Sequence, residues 1–143
     1  KNITPGSISD QVGYFADFFP TILELIGLKS DEIFDGNSIA GVLHGTKKST
    51  DVPPLYWEFY EKDGWRATRF GKWKAIQNNL HQSHQGPIEL YDLYRDPAET
   101  FDISQSHPQL VEKAKKIFKT ASVPSEHYFW KFQQRGATDI YNN

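Results

Sequence analysis

Three groups of side chains have the types and spacing to do chemistry. His81 and His84 form a His-x-x-His pair inside the polar run of residues 78–87. Two imidazoles need at least one further close ligand to hold a metal, and histidines in loops are ordinarily solvated. Contact with a substrate is the functional role that suits them better. Arg66, Arg69, Lys72 and Lys74 interleave with Trp65, Phe70 and Trp73. Such an array can bind anions or nucleic acid by charge plus stacking, although a sheet with one solvated basic face is the simpler expectation. Glu58 and Asp63 are spaced like an acid pair, but Glu58 falls mid-strand and Asp63 in a turn, so no shared acid–base site is implied.

Composition narrows the classes. The chain has 143 residues and a net charge of −2, which argues against a nucleic-acid binder. It is long enough to bury a core without staples. Aromatic residues make up 15%, which favours sheet structure. With no cysteine there are no disulfides, thiolate metal sites or thiol nucleophiles. No apolar run is long enough to cross a bilayer. The chain opens on Lys1 and contains no methionine, which fits a processed protein or, better, a piece of a longer one. Hydrolysis needs a nucleophile, oxyanion stabilisation and a leaving-group acid held together, and the pattern assembles no such set. No catalytic residue and no metal ligand is assigned.

The elements that must position these groups read as α+β. In residues 17–26 Asp17 is an N-cap, Pro20 sits in the first turn and Phe19, Ile22, Leu23 and Ile26 share a face ending at Gly27, so a short helix is expected. Asp35-Gly36-Asn37-Ser38 is a turn, followed by one or two helical turns up to Gly45. Residues 47–54 read as a connection. Alternation then predicts strands over 55–60, 65–70, 73–77 and 88–93. The first and second are joined by Glu61-Lys62-Asp63-Gly64 and the second and third by a type II′ turn at Gly71-Lys72. Short turns between successive strands imply an antiparallel sheet. Ser106-His107-Pro108-Gln109 reads as a helix start with a Ser cap and a capping box. Leu110, Val111, Ala114, Ile117 and Phe118 then form the apolar stripe that covers the sheet. Asp92 and Asp96 are expected to hold a turn by accepting backbone donors. The aromatics of 129–132 look like a return segment.

Several of these stretches, in order, resemble the sulfatase family of the arylsulfatase type. Gly6-Ser7-Ile8-Ser9-Asp10 and Asp17-Phe18-Phe19-Pro20-Thr21-Ile22-Leu23-Glu24-Leu25-Ile26-Gly27 are similar to the last helix of its large α/β domain. Phe34-Asp35-Gly36-Asn37-Ser38 with Leu43-His44-Gly45 resembles its DG-x-S … L-x-G loop. Tyr56-Trp57-Glu58-Phe59 resembles the strand that opens its small C-terminal sheet. Residues 66–74, RATRFGKWK, are similar to its A-x-R-x-G-x-[WY]-K hairpin. Glu89-Leu90-Tyr91-Asp92-Leu93 with Asp96-Pro97 and Glu99 resembles its ELYDL … DP-x-E strand and turn. The likeness runs from about residue 5 to about residue 120. The family's C/S-x-P-S-R motif is missing; Ser122-Val123-Pro124-Ser125 comes nearest, with Glu126 where Arg should stand.

The resemblance implies that residues 1–54 are the tail of a large sulfatase α/β domain and that 55–143 are its small C-terminal subdomain. It implies a parent that hydrolyses sulfate esters, on a sugar, using formylglycine and calcium, neither of which belongs to this piece. Its partners would be the N-terminal catalytic domain of the same polypeptide and a sulfated carbohydrate, with neither nucleic acid nor membrane. Work outside the cytoplasm, periplasmic or extracellular, is the implied location. The substrate contacts expected are Glu58, Tyr60, Trp65, Arg66, His81 and His84. The alternative is a stand-alone module whose basic aromatic face docks an anionic glycan or a protein. A fragment should expose an apolar patch at Phe15, Phe18, Phe19 and Ile22.

Overall fold

A computed structural model describes residues 3–48, 52–81 and 86–123. The chain divides into two compact units, Lys1–Val52 and Pro53–Asn143.

The first unit is built on helix α1 (Phe18–Leu25), entered through a 3-10 turn at Phe15–Asp17, and the short helix α2 (Ala40–Leu43). Asp17 precedes α1, but its carboxylate does not cap that helix. It turns back instead, accepting from the Tyr14 amide at 2.9 Å and the Asn37 amide at 2.8 Å. Buried amides need partners, and this one carboxylate supplies two of them. Thr21 continues the tie: its hydroxyl donates to the Asp17 carbonyl at 2.6 Å and accepts from the Ile39 amide at 3.0 Å. The Asp35–Ser38 turn is thereby laid against the start of α1. Gly36 is required there, because a Cβ would stand 2.2 Å from the Ala16 carbonyl carbon and oxygen.

The second unit is the expected four-stranded antiparallel sheet with a helix behind it. Strands β1 (Leu55–Phe59), β2 (Trp65–Phe70), β3 (Trp73–Asn78) and β4 (Ile88–Asp92) lie in the order β1-β2-β3-β4. Gly71, at φ +60°, sets the tight β2–β3 turn. Register pairs Tyr56 with Thr68, Thr68 with Ala75, and Ala75 with Leu90. These alternate residues face helix α3 (Pro108–Ala121). Phe70, Ala75, Ile88, Leu90, Ala114 and Phe118 form the core, and Leu110, Val111 and Ile117 pack on it. The stripe read from the sequence is therefore the buried face of α3.

The start of α3 differs from expectation. Ser106 ends a 3-10 turn, Ser104–Ser106, and His107 is the N-cap with no side-chain cap bond, followed by Pro108. Asp102 does the tying: it accepts from the Leu90 amide at 2.9 Å and the Ser104 amide at 2.8 Å. Burial pushes its carboxyl up, but these amides outweigh that and hold it below the usual carboxylate range. Asp92 and Asp96 behave as expected. Asp92 accepts from the Tyr94 amide, and Asp96 from the amides of Thr100 and Phe101.

Candidate functional site

The nominated residues converge where β1 ends and β2 begins. Pairing continues past β3 beyond the strand limits: the Leu80 amide donates to the Gly64 carbonyl at 3.1 Å and the His81 amide to the Asp63 carbonyl at 3.0 Å. His81 is not a solvated loop side chain. It is buried, and its Nε2 lies 2.8 Å from the Tyr60 carbonyl oxygen. A carbonyl only accepts, so the proton is on Nε2. The imidazole thus ties the 61–64 turn to the chain leaving β3. His84 lies outside the described residues.

On the helix-facing side of the sheet, Glu58 and Arg66 are cross-strand partners. The Glu58 carboxylate accepts from the Tyr56 hydroxyl, from Ser122 Oγ at 2.9 Å and from the Tyr60 hydroxyl at 3.3 Å. Burial, then the bond to Glu58, pushes the Tyr56 hydroxyl far up, so it stays a donor throughout the physiological range. Arg66 Nε donates to Gln77 Oε1 at 2.8 Å, and its guanidinium stands 4.6 Å from the centre of the Phe118 ring. Gln77 is itself buried and donates to the Gly86 carbonyl at 2.7 Å.

The single basic face does not form. Strand alternation places Arg66 with the helix and sends Arg69 and Lys74 to the opposite side. Lys74 pairs with Glu99 at 2.7 Å, and Lys72 pairs with Asp92 at 2.6 Å while standing 4.3 Å from the Trp73 ring centre. The array that suggested an anion-binding surface is thus divided between two faces and, for these lysines, paired with carboxylates.

That opposite side carries a feature the sequence reading passed over. Phe59 and Trp65 are cross-strand partners whose rings stack at 5.6 Å between centres and 24° between planes. Both are partly open to solvent. They wall a hollow of about 270 Å³ completed by Glu61, Lys62, Asp63, Gly64, Asn78 and Asn79. Of the nominated residues, Trp65 alone lines it. The Asn78-Asn79 pair just after a predicted strand was the available signal, since Asn tolerates a left-handed backbone at such ends. Asn79 adopts φ +58°.

The first unit has its own opening, a groove of about 510 Å³ lined by Phe15, Phe18, Ile22, Leu25, Ile39 and Leu43 among others. Phe15, Phe18, Phe19 and Ile22 are 89%, 67%, 58% and 46% exposed, the apolar patch expected of a piece of a larger protein. Among the described residues, no three His, Cys, Asp or Glu side chains are grouped to hold a metal. No helix among them is long and apolar enough to cross a membrane.

A four-stranded antiparallel meander covered by one helix defines a small α+β domain. Its particular affiliation follows from comparison with known proteins. The model of the family "N-sulphoglucosamine sulphohydrolase, C-terminal" matches residues 1–122, and the chain belongs to that family of sulfatase C-terminal domains. Arylsulfatase A of Bos taurus is 27% identical over 139 residues, covering 82% of this chain and 27% of that protein. An ulvan-active sulfatase of Formosa agariphila is 28% identical, covering 83% of this chain and 30% of its own length. The chain thus spans less than a third of these relatives. Among solved structures, a 2-O GAG sulfatase superposes with a TM-score of 0.61 at 20% identity over 73% of this chain and 23% of that one. A structure solved in complex with its substrate D-glucosamine-2-N,6-O-disulfate does so with a TM-score of 0.58 at 21% identity, with the same coverage. At these identities the two superpositions establish the shared fold.

Proposed function

We propose that this chain is the part of a sulfatase that shapes the substrate cleft for a sulfated carbohydrate, while the bond-breaking groups belong to an N-terminal catalytic domain of the same polypeptide. The observation that carries this reading is the family match over residues 1–122. The relatives' substrates, ulvan for one and a glucosamine disulfate for another, favour sulfated sugars as the substrate class. Formylglycine and calcium would reside in the catalytic domain.

Glu58, Tyr60, Trp65, Arg66 and His81 gather at one end of the sheet, where ligand contacts on neighbouring loops are commonly carried. Within this group the roles divide. Trp65 offers an open ring to a ligand. His81, Glu58 and Arg66 act behind it, holding the turn and the helix seam in place. The open apolar side chains of the first unit are the surface that the rest of the large catalytic domain would cover. Apolar contacts of this kind are what exposed Phe15 in the 3-10 turn and Phe18 and Phe19 in α1 are suited to make.

The test is sulfate release from a 6-O-sulfated glucosamine disaccharide, measured for the longer polypeptide and for the 143-residue chain alone. Release by the longer polypeptide only is expected. No release by the longer polypeptide removes the sulfatase reading; release by the chain alone places the chemistry here and overturns the division of labour.

A further inference from the structure

We infer that the hollow beside the β1–β2 turn is a binding site for an uncharged hexopyranose ring, one that selects against a sulfate on that ring. The inference rests on the carbohydrate reading above and adds which sugar this hollow accepts. Its volume, about 270 Å³, is near the lower end of small-molecule pockets and suits one ring rather than a chain. The Phe59–Trp65 stack presents aromatic surface that is 41% and 37% exposed. Exposed aromatic faces give an apolar platform with a polar rim, the arrangement that fits the C–H face of a pyranose and leaves its hydroxyls for the edges.

The rim chemistry sets the ligand's charge. Glu61 and Asp63 carry two negative charges into the lining, and Lys62 carries one positive. The local balance is acidic. Carboxylates accept hydrogen bonds from hydroxyls, two lone-pair-bearing oxygens each, and repel a sulfate. Asn79 adds both donor and acceptor capacity, as neutral hydroxyls require.

The backbone gives an independent indication. Three non-glycine residues among those described have positive φ, and two of them, Lys62 at 56° and Asn79 at 58°, line this one hollow. A left-handed backbone at lysine is costly, and such conformations concentrate at ligand sites. Glycine at 62 would relieve the strain, but it would also remove the only cation of the rim.

The experiment uses the full chain labelled with 15N and titrated with methyl β-glucopyranoside and with its 6-O-sulfate. Amide and indole shifts report where each sugar sits. The expected result is saturable movement of the Trp65 indole and Asn79 amide signals, with a dissociation constant on the order of millimolar, as weak single-ring ligands give. The sulfated sugar should bind about fivefold more weakly, the size of one like-charge contact near 4 Å in water. Asn79→Gly, which removes the side chain and keeps the left-handed backbone without strain, should weaken the neutral sugar without altering the remaining spectrum, and this keeps the test decisive if Trp65→Ala fails to fold. Equal or tighter binding of the sulfated sugar overturns the selectivity. No movement at Trp65 and Asn79 with either sugar overturns the site. Because the signal is binding at named residues, it fails independently of sulfate release by the longer polypeptide.

Discussion

Arg66→Ala separates a structural arginine from a ligand-facing one. In the structure Arg66 Nε donates to Gln77 Oε1 at 2.8 Å and the guanidinium lies 4.6 Å from the Phe118 ring centre. A hydrogen bond with a charged donor contributes about 1.5–3 kcal/mol, and a cation–π contact about 0.5–2 kcal/mol. Releasing the arginine's rotamer freedom offsets about 1–2 kcal/mol of that sum. The net expected loss is about 1–3 kcal/mol, from the same bond and ring contact. With a urea slope of about 2 kcal/mol/M the midpoint should fall by roughly 0.5–1.5 M. Arg69→Ala is the control. Arg69 lies on the opposite face and makes one long bond, Nε to the Gly71 carbonyl at 3.3 Å. Its removal should change stability by about 0.5 kcal/mol or less. Urea unfolding followed by tryptophan fluorescence reads both. Equal shifts for the two variants, or no shift for Arg66→Ala, would refute the argument from strand alternation that puts Arg66 in the helix seam.

Two further expectations follow from other parts of the chain. Gly36→Ala drives a Cβ to within 2.2 Å of the Ala16 carbonyl, so the Asp35–Ser38 turn must lift from α1 at about 1–3 kcal/mol; faster hydrogen exchange at the Asn37 and Ile39 amides is the readout, and unchanged protection there would contradict it. Tyr91 is pushed up to about 12, first by burial and then by its bond to the Glu89 carboxylate at 2.9 Å. Its folded pKa lies above the unfolded value of about 10, so its contribution is fully present below that value and is lost as pH rises toward 12. Stability measured between pH 9 and pH 11.5, as order-of-magnitude bounds on that window, should slope downward in the native chain and less so in Tyr91→Phe.

Much of the fold was legible because its signals are local. The Leu110–Phe118 stripe, the Gly71-Lys72 turn and the alternating aromatics each depend on near neighbours along the chain, and each is where it was expected. What escaped depends on pairing across the fold. Asp17 looks like a helix cap until the Asn37 amide, twenty positions on, arrives to claim it. Ser106 looks like a cap until Asp102, tied to Leu90, shapes the preceding turn. The basic cluster was read as one face although a strict period of two separates Arg66 from Arg69 and Lys74. His81 was read as solvated because its neighbours are polar; in the fold it is buried and meets the Tyr60 carbonyl across the turn. The Phe59–Trp65 hollow needed the β1–β2 register, which no local pattern supplies.

Substrate selectivity of the longer polypeptide tests the central claim most directly. Trp65→Ala should raise KM for a sulfated oligosaccharide about 3- to 10-fold, the worth of one aromatic contact, with kcat little changed. The same variant should leave hydrolysis of a small aryl sulfate, which cannot reach the Phe59–Trp65 platform, as it was. That split is the predicted result. An equal loss on both substrates would make Trp65 structural, and no loss on either would remove this end of the sheet from the substrate cleft.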